Sequence, residues 1–182
     1  MKYPHISGID YESTADGPGI RAALYLSGCT HNCPGCHNPQ THNPNAGTMI
    51  DEVLINNIGN KIRNRKYING ITLTGGDPLY NVENTANLIY SLRNRLGERW
   101  SELTVWLYTG YTWQQLMQQY KTDEHLQKLL LMIDVIVDGP FIQDCADKRL
   151  AFRGSSNQCM IDVQNSLKSG KLVMWNNSAQ EV

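Results

Sequence analysis

The chain has 182 residues, 41% hydrophobic and 18% charged, with a formal net charge of −1. That length carries one domain with a proper core, and the absence of a long basic run argues against binding through clustered Lys and Arg to nucleic acid. No stretch approaches the ~20 apolar residues that span a bilayer, and Met1 to Gly8 lacks the apolar segment of a signal peptide, so a cytoplasmic protein with no membrane partner is expected.

The elements run as follows. Asp16-Gly17-Pro18-Gly19-Ile20-Arg21 reads as a hairpin-like turn, and Ala22-Ala23-Leu24-Tyr25-Leu26 is the first clear strand, ended by Ser27-Gly28. Thr48-Met49-Ile50-Asp51 reads as a capping box that opens a helix, with Leu54, Ile58 and Ile62 on its inner face. Ile71 to Thr74 is the next strand, stopped by Gly75-Gly76-Asp77-Pro78. The following helix carries Val82, Ala86, Ile89, Leu92 and Leu96. Thr104 to Tyr108 is a β-branched and aromatic strand. Helix is expected from Trp113 to Leu131 with a break near Thr122-Asp123, then a strand from Ile133 to Val137 that ends at Asp138-Gly139-Pro140. Residues 155 to 182 lose the alternation, and the pattern assigns no packing to 160–182.

Strand and helix in alternation argue an α/β protein with a parallel sheet. In such folds the carboxyl ends of the strands host the active site. Three of the loops there carry unusual residues, so the cysteine loop, Gly75 to Pro78 and Asp138 to Pro140 are expected to converge on one cleft.

The most informative loop is Ser27 to Asn38, where Cys29, Cys33 and Cys36 have the spacing C-x3-C-x2-C. Three thiolates can hold three irons of a [4Fe–4S] cube, which normally has four cysteine ligands. The fourth iron is then free to bind a small molecule. Cys33-Pro34-Gly35-Cys36-His37 also fits c-type haem attachment, and its C-x-x-C fits a thiol–disulfide site. Structural zinc on the three thiolates plus His31 or His37 is the fourth reading. Haem attachment takes place outside the cytoplasm, and a redox pair leaves Cys29 unexplained. Gly35 removes a side chain beside Cys36, which suits close approach of a ligand or simply a tight turn. Cys145 and Cys159 lack a partner motif and read as inert buried thiols.

Gly75-Gly76-Asp77-Pro78 alone is a weak signal. Paired glycines let a ligand approach the backbone, while the plain reading is a turn with Asp77 as a helix cap. Arg153-Gly154-Ser155-Ser156-Asn157-Gln158 is polar and compact, and its plain reading is a solvated loop.

Cys29, Cys33 and Cys36 after one strand, with Gly75 to Pro78 after the next, resemble the signature of the radical S-adenosylmethionine superfamily. Asp16 to Arg21 resembles an element of the glycyl-radical-enzyme activases. Adding Tyr108 to Tyr111, Val137 to Phe141 and Arg153 to Gln158, the chain resembles the activating proteins of anaerobic ribonucleoside-triphosphate reductase over roughly residues 9 to 160. Two features depart from the wider superfamily pattern: Asp77 in place of the commoner Glu, and Gly35 where an aromatic often contacts adenine, a contact that falls to His37 instead.

The resemblance implies a radical oxidoreductase that spans 1–182 as one domain. Its ~250-residue parent fold would be cut to a partial (βα) barrel of about six units, open on one side. It implies one [4Fe–4S] cluster on Cys29, Cys33 and Cys36, with S-adenosylmethionine held by Gly35, Cys36, His37, Gly75, Gly76 and Asp77. No residue acts as general acid or base. The implied partners are the reductase, whose C-terminal region carries the target glycine, and a low-potential electron donor such as flavodoxin. A homodimer within a heterotetramer is the implied assembly. Activation of another glycyl radical enzyme, such as formate acetyltransferase, is the neighbouring alternative. A non-catalytic iron–sulfur or zinc scaffold is the alternative of another class.

Overall fold

The computed structural model describes residues 1–176. Seven strands form one sheet: β1 (His5–Ser13), β2 (Ile20–Leu26), β3 (Thr48–Met49), β4 (Ile68–Gly75), β5 (Thr104–Tyr108), β6 (Val135–Asp138) and β7 (Cys159–Asp162). Their order is β3-β1-β2-β4-β5-β6-β7. β2, β4, β5 and β6 run parallel, and the pairings on both flanks are antiparallel. α1 (Glu52–Asn64) and α2 (Val82–Leu96) make the first two crossovers, and α3 (Trp113–Tyr120) with α4 (Glu124–Leu130) makes the third; α5 (Val163–Ser169) follows β7.

The fold is therefore mixed α/β around an open sheet, parallel at its centre. Six βα units are not found among the described residues. Parallel pairing needs a crossover of about a dozen residues or more, usually helical. β1 joins β2 through a short turn, and β6 leads to β7 without an α-helix, so both flanks turn back antiparallel.

Helix ends follow local chemistry. Asp51, not Thr48, caps α1 by accepting from Leu54 N at 2.8 Å. Thr48-Met49 pairs instead with β1 as a two-residue edge strand. Asn81 caps α2, and Thr112 with Gln115 forms a capping box on α3. Asp123 accepts from His125 N and Leu126 N, which restarts the helix as α4 after the expected break.

The two faces of the sheet differ. Leu24, Leu73, Leu107 and Ile136 project into one apolar layer with Ile58 and Ile62 of α1, Ile89 and Leu92 of α2 and Leu126 of α4, all fully buried. Each such side chain contributes about 1.5–3 kcal/mol on burial. The opposite face carries Arg21, Thr72 and Trp106, also fully buried. The Arg21 guanidinium donates to Thr72 Oγ1, Thr104 Oγ1, Ile71 O and Thr104 O at 2.7–2.9 Å, and it sits 5.4 Å from the Trp106 ring centre. Gly17 and Gly70 make room for it: a Cβ at either would lie within 2.8 Å of its side chain.

The region without an assigned packing finds a place up to Asn176. Residues 173–175 return along β7, with Asp162 N donating to Val173 O and Trp175 N to Met160 O, and Trp175 packs edge-on against Trp106 at 4.9 Å. Residues 177–182 lie outside the described residues. Among the described residues no helix is long and apolar enough to cross a membrane.

Candidate functional site

The carboxyl ends of β2, β4, β5 and β6 open on a cavity of about 630 Å³. Cys29, Cys33, Cys36 and His37 line it from the first loop, Thr74 to Asp77 from the second, Tyr108 to Gly110 from the third, and Gly139 and Phe141 from the fourth. The expected convergence of separate loops therefore occurs. Gly35 alone of the expected residues does not line the cavity. It has a φ of 74°, and a Cβ there would lie 3.0 Å from Gln143 Oε1 and 3.4 Å from the Phe141 ring, so its smallness serves packing against the β6 loop.

Backbone hydrogen bonds fix the cysteine loop. Gly28 N donates to Thr41 O and Cys29 N to His42 O, at 2.8 and 3.1 Å. Cys36 N donates to Cys33 O at 3.1 Å, and Asn38 N points at Cys36 Sγ at 3.4 Å. The second loop is stitched directly to the first: Gly76 N donates to Leu26 O and Asp77 N to Gly28 O, both at 2.8 Å. A Cβ on Gly76 would lie 2.5 Å from Gly28 O, and one on Gly75 2.7 Å from the Leu26 backbone. The paired glycines thus let two strand ends lie against each other beside the cavity, and a Gly76→Val change would push on the cysteine loop itself.

Asp77 ties three loops together. It is 3% exposed. Its Oδ2 accepts from His31 Nε2 at 2.7 Å, Thr109 Oγ1 at 2.9 Å and Gly110 N at 3.0 Å. Its Oδ1 accepts from Leu79 N at 2.8 Å, so it caps a turn; the cap of α2 is Asn81. Four donors thus satisfy its carboxylate. The His31 ring also packs edge-on to Tyr111 at 4.7 Å, over Gly110, where a Cβ would strike it at 2.4 Å. The hydrogen bond to Asp77 raises the His31 pKa against the opposing effect of burial. Burial pushes the Cys29 thiol up, and the Asp77 charge adds to it.

From Ala22 to Ile50 the chain has no Lys, Arg, Asp or Glu, so the carboxylate that His31 meets comes from another loop, as Asp77. The three thiols are unbridged and half-buried. Three soft donors on one cavity fit an iron–sulfur cluster, whose ligands must be thiolates. The zinc alternative fits less well. His31 spends Nε2 on Asp77, and among the described residues no three His, Cys, Asp or Glu side chains gather closely enough for a single metal ion.

Sequence reasoning weighed His31 only as a zinc ligand, and it missed the His31–Asp77 tie because 46 residues separate the pair. It also missed Phe141 as the neighbour of His37, with ring centres 5.1 Å apart. Arg153 to Gln158 is not a solvated loop: Ser155 and Gln158 are buried. Gln158 Oε1 accepts from Gly154 N and its Nε2 donates to Gly139 O, both at 3.0 Å, which clamps this turn to the β6 loop. Cys145 and Cys159 are half-buried, not fully buried.

Residues 15–161 match the family model of a 4Fe-4S single cluster domain. The fold and site thus define an α/β protein built to hold one [4Fe–4S] cluster. The chain is 36% identical over 146 residues to a Haemophilus influenzae protein, covering 79% of this chain and 88% of the relative. It is 35% identical over 160 residues to a protein of Enterobacteria phage T4, covering 87% and 92%. It is 37% identical over 163 residues to one from Vibrio cholerae, covering 87% and 96%. Each of these relatives is named anaerobic ribonucleoside-triphosphate reductase-activating protein. The chain belongs to the family of anaerobic ribonucleoside-triphosphate reductase-activating proteins.

Proposed function

We propose that this chain activates an anaerobic ribonucleoside-triphosphate reductase by generating a glycyl radical on it. Cys29, Cys33 and Cys36 hold the [4Fe–4S] cluster, and the backbone of Gly75, Gly76 and Asp77, with Cys36 and His37, holds S-adenosylmethionine against the open iron. When bound, the reduced cluster and S-adenosylmethionine supply, with release of methionine, a 5′-deoxyadenosyl radical that takes a hydrogen atom from the target glycine. The chain's own residues bind, orient and shield, and none serves as acid or base. This work fits a protein that positions a cofactor which carries the chemistry.

One observation carries the reading. The cysteine loop and the Gly75 to Pro78 loop line a single cavity and are joined through the Asp77 carboxylate. Its test is anaerobic reconstitution followed by two measurements. Reduced protein with S-adenosylmethionine should release 5′-deoxyadenosine, and addition of the reductase should produce a glycyl doublet in electron paramagnetic resonance. Stoichiometric zinc without a cluster would sink the reading. A doublet only on a formate-acetyltransferase-type partner would move the substrate to the neighbouring alternative.

Further parts of the proposal extend beyond this site. The chain works in the cytoplasm as one domain over 1–182 and takes its electron from a low-potential donor such as flavodoxin. It pairs as a homodimer within a heterotetramer with the reductase. Mass measurement of the anaerobic complex, and the assay repeated with flavodoxin as sole reductant, test these parts separately.

A further inference from the structure

Between β6 and β7, residues 146–154 run along one wall of the cavity. The feet of this segment are pinned to each other: Asp147 N donates to Gly154 O at 3.3 Å and Ser156 N to Cys145 O at 2.8 Å. Its exposed tip is self-contained, since Arg149 gives its guanidinium to Asp147 within the segment. Between feet and tip, Phe152 makes the contact with the sheet. Its ring meets Trp106 edge-on at 5.7 Å, and its carbonyl accepts from the Tyr108 hydroxyl at 2.6 Å. Phe152 also has a φ of 55°. A bulky residue in that left-handed region is strained, and such strain persists only where surrounding contacts hold it.

We propose that residues 146–154 form a strap seated on the path by which the glycine-bearing segment of the protein substrate reaches the cavity. The substrate lifts the strap, then offers an apolar side chain to Trp106 and a backbone carbonyl to Tyr108 in its place. This rests on the reading that the substrate is a polypeptide. A polypeptide needs a backbone-wide entry, and the indole of Trp106, buried beneath Phe152 beside the Tyr108 hydroxyl, suits a strand of chain once Phe152 leaves it. The strap itself demonstrates that fit. The feet stay held by each other and by Gln158, to which Arg153 and Gly154 donate. Lifting the part between them releases the strain at Phe152, so its closed position depends on the two contacts to β5.

Two variants separate this role from a plain packing role. Phe152→Ala removes the strap's ring but leaves Trp106 and Tyr108 for the substrate. Amide exchange across residues 147–156 should quicken about fivefold, the scale of one aromatic pair. The apparent KM for the reductase in glycyl-radical formation should fall by a similar factor, because a larger fraction of molecules is open. Tyr108→Phe should quicken exchange comparably without lowering KM, because strap and substrate lose the same donor. Unchanged exchange in β4 confirms an intact fold, and Phe152→Leu replaces the alanine variant if that control fails. Faster exchange in Phe152→Ala with an unchanged or raised KM would overturn the strap. A wild-type protein that makes no glycyl radical on the reductase overturns the reading of the substrate instead, and that result appears before any variant is compared.

Discussion

The two faces of the central strands teach different lessons although they alternate along the same residues. On the helix-covered face, Leu24, Leu73, Leu107 and Ile136 belong to one buried apolar cluster. On the opposite face, Arg21, Thr72, Trp106 and Tyr108 interlock through hydrogen bonds and ring contacts. The first face supplies non-directional burial, which tolerates exchange of one hydrophobe for another of similar volume. The second depends on matched donors and acceptors, each costly to leave unmade. A change on the first face should register mainly as stability, and a change at the cavity mainly as function.

Cys36→Ala should give the largest effect and sharpen this contrast. Iron bound after anaerobic reconstitution, and the 5′-deoxyadenosine released with S-adenosylmethionine, should drop to background. The denaturation midpoint of the metal-free protein should stay where it was. Leu73→Ala is the converse. It opens a cavity in the helix-covered layer and should cost about 2–5 kcal/mol in urea unfolding, while cluster content and signal remain normal at low temperature. Asp77→Ala tests where the contrast fails, because Asp77 belongs to both lists. It strands His31 Nε2, Thr109 Oγ1, Gly110 N and Leu79 N, so about 3 kcal/mol should be lost. The cofactor-induced change in the cluster's resonance signal should vanish as well. Asp77→Asn, which keeps an acceptor, should recover part of both.

The smallest effect is one of pH. Burial, reinforced by Asp16, pushes the Tyr25 phenol up from 10.0 to about 12. The unfolded chain therefore releases this proton first as pH rises. Over that window the folded state binds more protons, so stability from this group falls with increasing pH and is intact below it. Tyr25→Phe should flatten the fall, and ultraviolet difference spectra of phenolate should show one late-titrating tyrosine fewer in the variant than in the wild type, Tyr108 being raised in both.

Much of the helix-covered face was legible in the sequence. The β5 strand and α2 fall where their residues predict, because burial there follows a simple period. β1 was not legible: register shifts between Ile6 and Gly8 and between Asp10 and Ser13 interrupt its alternation. β7 has four residues, too few to show a period. At the site, the cysteines and Gly75 to Pro78 were readable because each sits just past a strand. The tie through Asp77 was not, since it depends on how β2, β4 and β5 bring their ends together. Gly75 and Gly76 illustrate the same point from the other side. Their presence was noticed, but the reason lies in backbone belonging to a loop far away in the chain.

An open sheet has a consequence that a closed barrel escapes. Its two outer strands leave backbone groups that could pair with another molecule and seed edge-to-edge aggregation. Here β3 contributes only Thr48 and Met49 at one border, too short a template for a second chain. At the other border, residues 173–175 already occupy part of the hydrogen-bonding rim of β7. The sheet stays open enough to admit chemistry at its strand ends while offering little to a stray strand along its sides.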